Sequence, residues 1–235
     1  MKSSLCMVLA GLLLFVLLGP CLTVRAEEEG TKIMGEAEAD AEQLRNLLLQ
    51  MNPGATEEIL ELPAIYLEEG AVEGVRGDIA FAQACLETGW FVFPETTAVT
   101  FDQYNFCGMG VTSNGMKGNS FASAREGVRA QIQHLKAYAS TDDLVNECVD
   151  PRFDFVHRGC APYVEWLGIQ ENPEGYGWAA GVNYGAHILD ILDRMKETVP
   201  EVQEEMTEAA QADPQDSSLL DTILHYGGLL LDAIF

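Results

Sequence analysis

The sequence predicts a mainly helical α+β domain carrying one small β-hairpin lobe, and three observations predict it. Apolar residues recur at helical spacing through most of the chain, interrupted by Gly, Pro and Asn. One stretch, residues 90–120, breaks that rhythm by alternating aromatic and β-branched residues with Gly, Asn and Ser. The chain has 235 residues, 48% of them hydrophobic, enough for one domain of ordinary size with a sizeable core and short ends.

The elements follow in order. An amphipathic helix is expected over 41–51, stopped by Asn52-Pro53-Gly54. A second begins near Thr56 or Pro63, and Gly70, Gly74 and Gly77 stand too close together for one uninterrupted helix. Asp78 reads as the N-cap of a helix over 79–88, ended by Gly89. Residues 90–120 suit an irregular loop and the hairpin. Helix returns over 123–138 with Val128, Ile132 and Leu135 on one side, opened by a capping box of Ser123 and Glu126. Residues 144–155 and 161–167 read as short helices, with Asp150-Pro151-Arg152-Phe153 a turn held by packing and an ion pair. After a turn-rich loop at 171–177, a last helix starts at Ala179 or Asn183 and runs to Met195, placing Ile188, Ile191, Leu192 and Met195 inward.

The ends differ from this body. Residues 1–26 join a short basic start, an apolar middle and a small-residue exit at Ala26, the pattern of a secretory signal peptide. The competing reading is an uncleaved anchor, since about 20 apolar residues just span a bilayer. Cys21 follows Pro20 rather than a small residue such as Gly or Ala, which weakens it as a lipid-attachment site. Residues 27–61 form an acidic N-terminal arm, and 198–235 an acidic tail with an amphipathic stretch over 217–235. Of the net charge of −24, residues 27–73 carry 13 acids against 2 bases, and residues 197–235 carry 9 acids and no base. Both arms read as solvated ends. Such acidity argues against a nucleic-acid partner, which needs basic surface. It also argues against charge attraction to anionic membranes or wall polymers, so membrane contact is expected only if the N-terminal segment stays uncleaved.

Cleavage would leave four cysteines, Cys85, Cys107, Cys148 and Cys160, which allow three disulfide connectivities in an exported protein. No cysteine or histidine spacing fits a zinc site, and no cofactor is implied. His134, His157, His187 and His225 are scattered and read as ordinary core or surface residues.

The segment 82–90, AQACLETGW, carries the most chemistry. Glu87 falls in the last turn of its helix, two residues before Gly89, where unpaired carbonyls disfavour an ionised carboxylate. Trp90 and Phe91 follow and could shield it from water. Both effects raise a carboxyl pKa, as a general acid near neutral pH requires. Glu87 shares a helix face with Ala80, Gln83 and Ala84, a floor of mostly small side chains. Cys85 points about 160° away, which makes it a poor nucleophile candidate.

This run resembles the helix that carries the catalytic glutamate in bacterial glucosaminidases of glycoside hydrolase family 73. Tyr104-Asn105-Phe106-Cys107-Gly108-Met109 is similar to that family's "N-x-F-G-I" hairpin, which borders the substrate groove. Residues 127–140 resemble the helix behind the hairpin. Trp178-Ala179-Ala180 with Asn183-Tyr184-Gly185 resembles the closing "Y-A-T-D-x-x-Y" element. The match covers residues 62–197 in family order. It implies a lysozyme-like two-lobed domain that hydrolyses the β-1,4 bond after N-acetylglucosamine in peptidoglycan strands, as a secreted, wall-associated autolysin. It also implies Glu87 as acid, Tyr184 beside it as a second catalytic residue, and Asn105, Phe106, Trp178 and Trp90 as groove residues. One departure matters: there is no Asp or Glu between Gly108 and Arg125, where family members carry a second carboxylate. Glu95, Asp102 and Glu126 are the nearest candidates, and the substrate's 2-acetamido group is the alternative. Two rival functions stand beside the hydrolase. One is a lytic transglycosylase on the same fold, whose Gly-Leu-Met-Gln element is absent here; the other is a non-catalytic glycan-binding wall protein.

Overall fold

The computed structural model describes residues 30–111 and 116–198. The expected signal peptide and the amphipathic stretch of the C-terminal tail lie outside those residues. Among the described residues, no helix is long and apolar enough to cross a membrane.

The domain is mainly helical, as expected. In chain order its α-helices are α1 (Ala41–Met51), α2 (Glu57–Leu60), α3 (Leu62–Glu73), α4 (Gly77–Thr88), α5 (Ala124–Ala139) and α6 (Tyr184–Glu197), with 3-10 turns at Phe101–Gln103, Phe153–Phe155 and Val164–Leu167. α4 is the hub, touching α1, α3, α5 and α6. Ile79, Ala80, Phe81, Ala82, Ala84 and Cys85 are all fully buried, so this helix is enclosed on every side along that stretch. α3 and α4 approach closely because both carry glycine at the crossing. A β-carbon on Gly70 would come 2.8 Å from the Gly77 Cα, and one on Gly77 would strike the Tyr66 carbonyl. Gly70 therefore lies within α3, and it is Gly74, in the left-handed region at φ 72°, that ends the helix.

Three expectations are corrected by packing. Asp78 is not an N-cap: α4 starts at Gly77, two residues earlier than expected, and the fully buried Asp78 carboxylate accepts from the Glu38 and Ala39 N–H groups and the Arg76 guanidinium. Charge composition suggested a solvated arm before α3, yet residues 30–61 carry α1 and α2 and send Ile33, Leu44, Leu48 and Ile59 into the core. α1 is pinned by a capping box of Asp40 and Gln43, and its apolar face packs on α6 and α3. The expected helix over 144–155 shrinks to one 3-10 turn, since side chains have captured its backbone donors. Glu73 accepts from the Val145 and Asn146 N–H groups, and Gln133 from those of Val149 and Asp150.

The expected hairpin lobe is not confirmed. No strand forms among the described residues; three isolated bridges lie elsewhere, one of them Met34 with Val75. The segment folds instead as a two-armed loop held by two backbone bonds, Asn119 N–H to Met109 O and Phe121 N–H to Gln103 O. Left-handed residues at Tyr104, Gly108 and Gly110 interrupt the alternation that a strand needs. The Asn105 side chain supplies the pairing in its place, donating to the Met109 and Asn119 carbonyls and accepting from Met109 N–H.

At the start of α5, Ser123 accepts from Glu126 N–H as a cap should, but the Glu126 carboxylate reaches back to Ala122 N–H rather than to Ser123. All four described cysteines are free thiols.

Candidate active site

α4 delivers Glu87 to the edge of the core one residue before the helix ends, with Gly89 at φ 59° as the left-handed cap. α6 begins at Tyr184, after Asn183 in the left-handed region at φ 59°, so the Tyr184 ring leaves the helix start toward α4. Its hydroxyl donates to Glu87 Oε1 at 2.5 Å and accepts from Gln83 Nε2 at 3.0 Å. Gln83 lies one turn before Glu87 on the same face, and its Oε1 accepts from Gln131 Nε2 of α5 at 2.8 Å. Gln131 Oε1 accepts from the Tyr66 hydroxyl of α3 at 2.6 Å. Four helices thus meet in one polar chain through the core. Tyr66, Gln83 and Gln131 are fully buried, and Tyr184 nearly so.

The direction of that chain is fixed at one point. Gln131 Nε2 also donates to the Ala80 carbonyl, which can only accept. The Gln131 amide therefore cannot turn over, Gln83 must show its oxygen to Gln131 and its Nε2 to Tyr184, and the Tyr184 proton is directed at Glu87. Glu87 Oε1 is occupied as an acceptor, which leaves the Oε2 side to carry an acid proton. Oε2 looks toward Gly108, where even a β-carbon would stay 4.0 Å away.

Burial raises the Glu87 pKa above the ordinary carboxyl value, and the Tyr184 hydrogen bond offsets this only in part. Among the described residues, no Lys or Arg bonds to Glu87. Tyr184 is itself pushed well above its ordinary value by burial first, then by the Glu87 charge, so it stays a neutral donor. The result is a largely buried carboxyl group with a preference for its protonated form and one free oxygen.

Beyond Gly108 the surface opens into a cavity of about 200 Å³. The 107–111 arm of the loop forms one wall, and His134, Tyr138, Arg152, Phe155, Val156 and Trp178 the others. The Trp178 ring stands 4.8 Å from His134 and 5.8 Å from Tyr138. His134 Nδ1 meets Asp150 Oδ2 at 2.7 Å, and since a carboxylate only accepts, Nδ1 carries the proton. Cys107 ties the two parts together: burial raises its thiol pKa first, and the charges of both Glu87 and Asp150 add to the rise.

The expected site residues divide. Glu87 and Tyr184 are brought into contact, and Trp178 lines the cavity. Asn105 and Phe106 have no exposed surface and cannot touch a glycan. Asn105 spends its polar atoms on the loop, and Phe106 packs edge-on against Phe91 and at a tilt against Phe101 as the wall's backing. Trp90 does not cover Glu87 either. Its ring lies 5.5 Å under the Arg194 guanidinium and its carbonyl accepts from Asn52. Arg194 stands ten residues from Tyr184 along α6, about 15 Å away, so Trp90 belongs to the other end of that helix.

Glu95, Asp102 and Glu126 neither line the cavity nor bond to Glu87. Glu95 and Asp102 are exposed, Asp102 accepts from Thr100, and Glu126 serves the α5 start. Among the described residues, no group of three or more His, Cys, Asp or Glu side chains could hold a metal ion. The sequence reading missed Gln83 and Gln131 as site residues, and His134 and Arg152 as cavity residues. Gln83 could have been found by its i, i+4 spacing to Glu87, whereas Asp150, His134 and Arg152 meet only through the fold. The ion pair expected within the Asp150–Phe153 turn is instead the contact of Asp150 with His134.

Comparison with known proteins gives the same outline. Residues 63–197 match the glucosaminidase family model, described as mannosyl-glycoprotein endo-beta-N-acetylglucosaminidase. A protein of Borreliella burgdorferi, itself described as uncharacterized, is 41% identical over 133 residues, which cover 56% of this chain and 64% of the relative. The chain therefore spans just under two thirds of that relative's length. No solved structure matches it. With a family match over more than half its length, taking in the helix that carries Glu87, the chain belongs to the glucosaminidase family.

Proposed function

We propose that the domain hydrolyses the β-1,4 bond after N-acetylglucosamine in peptidoglycan glycan strands, with Glu87 as general acid. The observation that carries this reading is the state of Glu87: largely buried, raised in pKa, joined by one neutral donor, and turned by its Oε2 toward Gly108, which lines an aromatic-walled cavity. Such a group protonates a glycosidic oxygen as the bond to the sugar breaks and an oxocarbenium-like state forms. Tyr184 holds the carboxyl plane by its short bond to Oε1, and Trp178 offers a ring for the sugar.

With Glu95, Asp102 and Glu126 placed elsewhere, the 2-acetamido group of the substrate is the nucleophile this reading favours, and it predicts retention at the anomeric carbon. Inversion would need a base about 6.5–9.5 Å from Glu87. We further propose secretion with cleavage near Ala26 and action at the cell wall as an autolysin. N-terminal sequencing of exported protein checks that part, and a full-length membrane-bound product would replace it with an anchored form.

Product analysis tests the chemistry. A digest of purified sacculi, reduced with borohydride, should yield N-acetylglucosaminitol. Anhydromuramyl ends in its place would make the protein a lytic transglycosylase. No soluble product at all would leave the glycan-binding reading.

A further inference from the structure

Most cations of this domain are already bound. Arg76 pairs with Glu38 and Asp78, Arg125 and Arg129 with Glu69, and Lys136 with Glu73. Arg158, whose guanidinium meets no carboxylate, donates to the Ser140 and Asp142 carbonyls instead. Arg152 differs. Among the described residues its guanidinium has neither a carboxylate nor a carbonyl partner; it lies by the Phe155 ring, 5.2 Å from Cζ, and close enough to Tyr138 for its charge to act on that hydroxyl. The adjacent carboxylate is spent: Asp150 Oδ2 faces His134, and Oδ1 accepts from the backbone N–H of Arg152 itself. Phe155 is 76% exposed, an unusual position for a phenylalanine, and both residues line the cavity beside Gly108.

A guanidinium with five free donors at the wall of a cavity, in a chain of net charge −24, is a site for an anion that comes from outside. The planar fork of donors fits a carboxylate in bidentate fashion. The cavity, about 200 Å³, is smaller than the roughly 300–1,000 Å³ that enclose a whole drug-sized ligand, so it suits one arm of a substrate.

Resting on the glucosaminidase reading of the same groove, we propose that Arg152 and Phe155 form a subsite for the carboxylate of the acyl arm on a muramic acid residue near the bond cleaved at Glu87. That carboxylate has two sources. In intact strands the lactyl group is tied up as an amide and the charge lies on the peptide stem; in stripped strands the lactyl carboxylate is free. The subsite makes the protein select muramoyl-bearing strands over uncharged N-acetylglucosamine polymers, although its overall charge repels a polyanionic wall.

The test compares kcat/KM of the wild type, Arg152→Gln and Arg152→Lys on three solubilised substrates. These are stem-bearing strands, strands stripped of stems by an amidase, and stripped strands with their carboxyls converted to amides. Arg152→Gln should lose about tenfold on stem-bearing strands, as for loss of one charge-assisted contact, and nothing on the amidated ones. Arg152→Lys should recover part of that loss. A loss on stem-bearing strands alone assigns the site to the stem carboxylate, and a loss on stripped strands alone assigns it to the lactyl carboxylate. Equal activity of Arg152→Gln and wild type on both charged substrates overturns the subsite, as does an equal loss on amidated strands. If the wild type turns over no strand, the hydrolase reading fails. Equilibrium binding of stem-bearing strands to the wild type and to Arg152→Gln then decides the subsite alone: weaker binding by Arg152→Gln upholds it, and equal binding removes it.

Discussion

Glu73 and Glu87 occupy the same place in two successive helices and behave in opposite ways. Each lies in the last turn of a helix that ends at a left-handed glycine, Glu73 directly before Gly74 and Glu87 two residues before Gly89. Each is drawn away from water and sits among unpaired helix carbonyls that disfavour charge. Burial would raise Glu73, but the Val145 and Asn146 N–H groups and the Lys136 ammonium outweigh it, and its pKa is lowered. Burial raises Glu87 too, and there a single neutral hydroxyl is all that opposes it. A helix end therefore does not make an acid; the number and charge of the donors that face the carboxylate decide between a structural anchor and a proton donor.

Exchanging each carboxylate for its amide should separate the two roles most sharply. Glu87→Gln removes the proton that leaves with the glycosidic oxygen, and turnover of sacculi should fall by at least about 10² to 10⁴ with the fold intact. Near-normal release of soluble glycan by folded Glu87→Gln protein would end the comparison, because Glu87 would then be no acid. Glu73→Gln should do the reverse. It leaves Lys136 buried beside a neutral amide, a loss of roughly 3 kcal/mol in denaturant unfolding, while the turnover of the remaining folded protein stays near wild type.

The pH dependence of stability sharpens the same contrast. A carboxyl raised on folding contributes stability below its unfolded pKa, about 4.3, and loses it as pH rises through the folded value. Glu87→Gln should thus be more stable than wild type at neutral pH and lose that advantage in acid. A lowered carboxyl contributes above about pH 4.3 and loses its contribution as pH falls through the folded value. The deficit of Glu73→Gln should accordingly be largest at neutral pH. Thermal melts of the two variants across about pH 3 to 8, the span in which carboxylates titrate, should cross in opposite directions.

This pair also marks what was legible in the sequence. The last-turn position of Glu87, the helix α1 with its Asn52-Pro53-Gly54 stop, and the Ser123 cap of α5 are local signals, and local backbone chemistry honours them. The donors that set Glu73 and Glu87 apart come from residues 63 to 97 positions away, on elements that only the fold brings near. The same distance hid the true surroundings of Trp90, next to Glu87 in the chain but turned to Arg194 by its left-handed backbone at φ 62°. The hairpin shows a related effect: alternation of residue types says where a strand could form, not that the Asn105 side chain takes hydrogen bonds along the described part of the segment.

Tyr184 is the donor that keeps Glu87 from rising further. Tyr184→Phe deletes that bond, and the Glu87 pKa should climb. Because the acid works protonated, the alkaline limb of the kcat/KM profile should move to higher pH. At the same time the loss of a fixed carboxyl plane should lower the maximum rate by about tenfold, the scale of one hydrogen bond to a charged or developing-charge group. An alkaline limb that stays in place would mean that Tyr184 only fills space.

The smallest expected effect tests how far the polarity set at Ala80 reaches. Gln83 donates to Tyr184 because the Ala80 carbonyl fixes Gln131, and Gln131 fixes Gln83. Gln83→Met removes that donor but leaves Tyr184 free to point its proton at Glu87, so the alkaline limb should stay near its wild-type pH while the rate drops a few-fold at about 1 kcal/mol or less. Gln83→Glu keeps the shape and still accepts from Gln131, but its other oxygen is an acceptor where a donor stood. The Tyr184 proton then has two carboxylates to choose from, Glu87 loses its share of it, and the like charge adds to the rise in its pKa. The limb should move upward in Gln83→Glu and hardly at all in Gln83→Met. If the two variants shift it equally, Gln83 acts by packing alone, and what separates Glu87 from Glu73 ends at the tyrosine.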